Sequence, residues 1–86
     1  MKNIVFSIHA IEKIEILKKH KMIIEKKLIE EAIEKPDSIE IGYKDRLVAQ
    51  KTLDETHVLR VVYEETEKKV TVITIYPGRR KRYEKD

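Results

Sequence analysis

The sequence predicts an α+β fold: two N-terminal helices packed on one face of a four-stranded antiparallel sheet. Three observations carry this. Before Pro36 the apolar residues recur at the three- and four-residue steps of amphipathic helices, and after it they alternate. The alternating runs are joined by short polar turns, which favour neighbouring antiparallel strands. With 86 residues the chain fits one domain, 1–86, with one modest core.

Ser7 precedes Ile8, Ile11, Ile14 and Leu17, so it reads as the N-cap of a first helix over about Ser7 to Lys19. Ile24, Leu28, Ile29, Ala32 and Ile33 give a second helix whose other face is Lys and Glu, ended by Lys35-Pro36-Asp37. Ile39, Ile41 and Tyr43 alternate with Glu40 and Gly42 as a first strand, and Arg46 to Leu53 reads as a second. His57 to Glu64 and Val70 to Tyr76 supply the third and fourth. If Leu59, Val61 and Tyr63 face the helices, Arg60 faces away. The same parity buries Ile73 and Ile75, and sends Arg46, Val72, Thr74 and Tyr76 to the open face.

The last ten residues form a separate basic C-terminal segment, 77–86. They hold five of the nineteen Lys/Arg and only two of the sixteen Asp/Glu, an excess equal to the chain's net charge of +3. Clustered basic residues beside Tyr76 and Tyr83 point to an anionic partner. A solvated basic tail is the plainer alternative. The absence of cysteine excludes disulfides, thiolate zinc sites and thiol nucleophiles. No membrane-length apolar run or signal-peptide pattern is visible, so the expectation is a soluble, unprocessed, cytoplasmic protein that contacts no membrane.

All five arginines lie after Gly42: Arg46, Arg60, Arg79, Arg80 and Arg82. Arginine's planar fork reads phosphate with two hydrogen bonds and stacks on bases, so this segregation is what a phosphate-binding face would show. Alternatively, Arg46 and Arg60 pair with cross-strand acids such as Glu40 or Glu64. Tyr76 and Tyr83 flank the basic run and suit stacking on an unpaired base. Tyr76 can equally close the core edge, and Tyr83 can simply be exposed. His9, in the first turn of the first helix, is a candidate acid or base or a structural histidine. His20 reads as a helix cap, and His57 opens a strand with either role available. The three histidines lack ligand spacing, so no metal is expected. Nor does a phosphate-cradling glycine loop or dinucleotide fingerprint occur, so no cofactor is expected.

Four stretches, Phe6-Ser7-Ile8-His9-Ala10, Ala32 to Asp37, Leu59 to Tyr63 and Val72 to Tyr76, give the chain a family likeness. It resembles a small domain family of unknown function related to RelE/ParE-like toxins. The resemblance implies a RelE/ParE-like fold and a toxin-type ribonuclease. Such an enzyme cuts messenger RNA, on the ribosome or off it, without metal, and is silenced by a cognate antitoxin protein. Its matching residues would be Arg60, Tyr76, Arg79, Arg80 and Tyr83, assisting attack of the RNA 2′-hydroxyl on the adjacent phosphate. Lys13, Lys18 and Lys19 stand where that family usually has arginines. Two functions therefore follow as expectations. One is a metal-independent ribonuclease, with Arg60 or Arg79 stabilising charge and His9 or Tyr76 moving a proton, over a binding surface of Arg46, Arg79, Arg80, Arg82 and Tyr83. The other is a non-catalytic nucleic-acid- or protein-binding module of the same fold. The oligomeric state is left open.

Overall fold

A computed structural model describes residues 2–83. The chain is α+β, in the order β1 (Asn3–Phe6), α1 (Ile8–Lys19), α2 (Lys26–Glu34), β2 (Ser38–Ile41), a 3-10 turn (Tyr43–Asp45), β3 (Leu47–Thr52), β4 (His57–Glu65), β5 (Lys69–Arg79) and α3 (Arg80–Tyr83). Two helices and the meander β2 to β5 fall where the hydrophobic period places them. The sheet, however, has five strands in the order β1-β5-β4-β3-β2, and β1 runs parallel to β5, so it is mixed rather than antiparallel. The short run Asn3-Ile4-Val5-Phe6 pairs with Lys69 to Val72, and nothing near it in sequence announces that partner.

Ser7 caps α1 as its position predicts. Its Oγ accepts from the Ala10 N–H at 3.0 Å and donates to the Ile73 carbonyl at 2.8 Å, so one hydroxyl starts the helix and ties it to β5. α1 ends at His20 in a Schellman turn: the N–H of Met22 reaches the Leu17 carbonyl and that of Lys21 the Lys18 carbonyl, with Lys21 at φ 65°. A glycine usually holds that left-handed position, which is why the sequence shows no stop signal there. The buried stripe of α1 is Ala10, Ile14 and Leu17, a 3.6-residue repeat. The three-step reading drifts off it and leaves Ile8 and Ile11 exposed.

The helices cover one face of the sheet. There Ala49, Leu59, Val61, Tyr63, Val70, Val72 and Ile75 pack with Ala10, Ile24, Ile29 and Ala32 into the core. The alternation of β4 holds: Leu59, Val61 and Tyr63 face the helices and Arg60 faces away. The alternation of β5 breaks. Val62 pairs with Thr74 but Tyr63 pairs with Val72, so Ile73 is the extra residue of a β-bulge. The bulge turns Val72 into the core and leaves Ile73 only partly buried, the reverse of the strict-alternation expectation, while Ile75 stays inside and Tyr76 outside.

β5 also runs three residues further than predicted, through Pro77, Gly78 and Arg79, paired to Leu59, Val58 and His57. Proline is tolerated because β1 pairs only as far as Val72, so the distal half of β5 is an edge on that side. Tyr43, expected in the first strand, instead opens the 3-10 turn, in which Lys44 and Asp45 adopt positive φ. The described part of the basic segment, 77–83, is not a tail: α3 folds back over the far face of the sheet, while Glu84, Lys85 and Asp86 lie outside the described residues.

Candidate functional site

The far face carries a buried polar network. Register sets Gln50, Arg60 and Tyr76 side by side on β3, β4 and β5. The Arg60 Nε donates to the Tyr76 hydroxyl at 3.0 Å and an Nη to Gln50 Oε1 at 2.5 Å, and the other Nη pairs with the Glu40 carboxylate. Arg60 is only 5% exposed. Burial works against its charge, but the hydrogen bonds it donates to Tyr76 and Glu40 outweigh that and hold its pKa above the ordinary guanidinium value. Among the described residues no buried side-chain nitrogen or oxygen lacks a partner.

Tyr83 closes this network. Its ring centroid lies 4.2 Å from the Arg60 guanidinium carbon, a cation–π stack, while the Tyr76 ring is 5.8 Å away. The close approach of that ring is made possible by a glycine beneath it. A Cβ on Gly78 would come within 2.3 Å of the Tyr83 ring. The Arg80 N–H donates to the Thr56 carbonyl at 2.9 Å, which ties the start of α3 to the β3–β4 hairpin.

At this same end of the sheet the basic residues emerge. Arg79, Lys81 and Arg82 are exposed and Arg80 is half-buried. An open pocket is lined by Pro77, Gly78, Arg79, Lys81, Arg82 and Tyr83, and a second by Glu55, Thr56, Arg79, Arg80 and Lys81. Beside the second lies a network that the sequence reading did not assemble. Asp54 Oδ1 accepts from the N–H groups of Thr56 and His57, both at 2.8 Å, and lies 3.2 Å from His57 Nδ1. Thr56 Oγ1 is 2.8 Å from the same ring nitrogen. The Asp54 pKa is lowered to about 2, first by the Thr56 backbone N–H and further by the His57 ring and N–H. His57 pairs across the ladder with Arg79. The signal was present as Asp54-Glu55-Thr56-His57, a turn whose carboxylate is spaced to reach a histidine three residues on.

The structure thus gathers Arg60, Tyr76 and Tyr83 into one cluster, with Arg79, Arg80 and Arg82 adjoining it. Arg46 stands at the far end of β4, 3.9 Å from Glu64. Glu40 and Glu64 are therefore the cross-strand partners of Arg60 and Arg46. His9 is exposed in the first turn of α1, on the opposite side of the sheet from Arg60.

Among the described residues no helix is long and apolar enough to cross a membrane, and no group of three His, Asp or Glu gathers as a metal site would. Neither a curated protein nor a solved structure matches the chain significantly. A family model matches residues 6–77, from the strand before Ser7 to the proline on β5, and it carries no link to RelE/ParE-like toxins. That span includes α1 and α2, the β2 to β4 meander and most of β5, and on it the chain belongs to the family described as Domain of unknown function (DUF4258).

Proposed function

We propose that the protein binds single-stranded RNA and cleaves it without metal, as a toxin-type endoribonuclease held off by a cognate antitoxin. The observation that carries this reading is the run Arg79 to Arg82, set by the end of β5 and by α3 around an open pocket edged by Tyr83. Exposed guanidinium groups on a fixed backbone supply phosphate contacts, and a flanking tyrosine supplies a face for a base.

Transesterification by an RNA 2′-hydroxyl needs positioning, charge stabilisation at phosphorus and proton transfer, and no protein nucleophile. Arg79 is the guanidinium best placed for the phosphate because it is exposed, whereas Arg60 is held by Glu40, Gln50 and Tyr76 beneath Tyr83. In this reading Arg60 fixes the Tyr76 hydroxyl and the Tyr83 ring. An antitoxin would have uncovered apolar surface available on edge strand β2 and the turn after it, where Ile39, Ile41 and Tyr43 are 50%, 75% and 82% exposed.

The deciding assay incubates the protein with single-stranded RNA in the presence of chelator. Products ending in 2′,3′-cyclic phosphate are expected, and RNA that is shifted in mobility but intact would overturn the catalytic claim. The engagement of Arg60 favours the second reading, a binding module without catalysis, and that outcome would select it. In either case Arg79→Ala, Arg80→Ala, Arg82→Ala should flatten the log–log salt dependence of RNA binding by about two units, at about 0.7 per lost contact. An unchanged slope would remove the basic run from the interface.

A further inference from the structure

We propose that His57, oriented by Asp54, is the general base of the RNA cleavage proposed above, an inference that rests on that reading. His9 and Tyr76 are the proton-transfer candidates by sequence, yet the Tyr76 hydroxyl is bound to Arg60, and His9, in the first turn of α1, lines neither of the basic pockets. His57 instead sits where the basic groups are. It is the cross-strand partner of Arg79, and its neighbour Thr56 lines the pocket that Arg79, Arg80 and Lys81 share.

The hydrogen-bond network assigns the tautomer. The Thr56 hydroxyl donates to Asp54 Oδ1 at 3.1 Å, so its oxygen is left to accept, and Asp54 is ionised; both groups facing Nδ1 are therefore acceptors. A neutral ring thus carries its proton on Nδ1 and presents the Nε2 lone pair. No hydrogen bond among the described residues occupies Nε2. The geometry is that of a base with a separate group fixing its orientation.

In the step, Nε2 takes the proton of the 2′-hydroxyl as the 2′-oxygen bonds to phosphorus. The bond from phosphorus to the 5′-oxygen breaks, that oxygen takes a proton from water, and His57 returns its own to solvent. The products are a 2′,3′-cyclic phosphate and a 5′-hydroxyl. Arg79 stabilises the charge that develops on the phosphate oxygens. Asp54 contacts the ring, Arg79 is its ladder neighbour, and the charged groups of the adjoining pocket are Glu55 from the hairpin and Arg80 and Lys81 from α3, with Asp37 close enough to feel Arg80.

The test uses the whole chain, single-stranded RNA and chelator. His57→Ala should lower kcat by about 10²- to 10⁴-fold with RNA affinity retained, and free imidazole should restore part of the rate. His57→Gln should lose the acid-side limb of the pH–rate profile. Asp54→Asn keeps an acceptor for the Thr56 and His57 N–H groups, so the hairpin survives; nitrogen NMR of its His57 ring should show mixed tautomers where the wild type shows Nδ1–H alone. A wild type that cleaves RNA while His57→Ala matches its rate and profile overturns this inference and leaves the ribonuclease reading standing. A wild type that binds without cleaving overturns both. A wild-type ring found protonated on Nε2 overturns the role of Asp54 and His57 whatever the cleavage assay gives.

Discussion

The two faces of one sheet are buried by different means. On the helix side Leu59, Val61, Tyr63 and Ile75 are closed over by two amphipathic helices, and on the far side Arg60 is closed over by one tyrosine from a four-residue helix. Both faces use strand β4, whose alternate residues are all almost fully buried from Val58 to Val61. Apolar contact is non-directional and tolerates repacking, whereas the far face depends on a fork with partners at fixed positions on three strands. The lesson is that burial and polarity are separable here: the charged Arg60, 5% exposed, lies as deep as the apolar Val48 at 6%.

The largest effect should come from the helix side. Leu59 is wholly buried, and Leu59→Ala should cost about 3 kcal/mol in urea unfolding, with the slope of the transition unchanged. A loss below about 1 kcal/mol would mean that the far face supplies more of the stability than the core does. Next is Arg60→Gln, which should cost about 1–3 kcal/mol. It removes the partners of Tyr76 and Gln50, but the Glu40 side chain is 61% exposed and is resolvated when left alone, so the full penalty of a broken buried pair does not apply. Unaltered stability in Arg60→Gln would mean that the network is ornamental and the far face free to act.

Gly78→Ala sharpens the contrast by attacking the tyrosine lid alone. The added methyl collides with the Tyr83 ring, and that ring rather than the backbone has to move, so a loss of about 1 kcal/mol is expected. Tyr83 ring resonances should shift while those of Leu59 and Ile75 do not; movement in both sets would show the faces to be one cooperative unit.

The smallest effect is an acid one. The folded pKa of Asp54 is about 2 against an ordinary 3.8, and that of Asp37 is also lowered, first by the Thr52 N–H. A carboxylate depressed in the folded state adds stability above its unfolded pKa and loses it as pH falls through the folded one. Stability should therefore decline from about pH 4 towards pH 2. Asp54→Asn should flatten that decline, and the helix-side core should be indifferent to it.

The legible parts were those whose cause is local. Ser7 and the helical period gave α1 its start, Pro36 gave α2 its end, and alternation gave β4 its faces. Three features had distant causes. β1 is a four-residue strand with three apolar residues, and its partner begins at Lys69. The bulge at Ile73 exists only in the pairing of two strands, since β-branched residues fill that stretch on either parity. Pro77-Gly78, placed by sequence in the basic segment beyond the last strand, continues β5, because the glycine admits the Tyr83 ring and the proline lies on an unpaired edge. In the candidate site the arginines were visible, but not which were committed. Only coordinates separate Arg60, whose donors are engaged, from Arg79, whose side chain is exposed.

The parallel pairing of β1 with β5 also dictates the order of assembly. The Ser7 hydroxyl that starts α1 is bonded to a residue 66 positions later in the chain. A chain made from its N-terminus therefore carries α1 undocked, with Ala10 and Ile14 facing water, until Val72 and Ile73 leave the ribosome. The hairpins β2–β3, β3–β4 and β4–β5 are local and can close first, and the N-terminal strand and helix then seat on them as a late, slow step set by loop closure. During that interval the helix-facing side of the meander, Ala49, Leu59 and Val61 among it, stands without its cover.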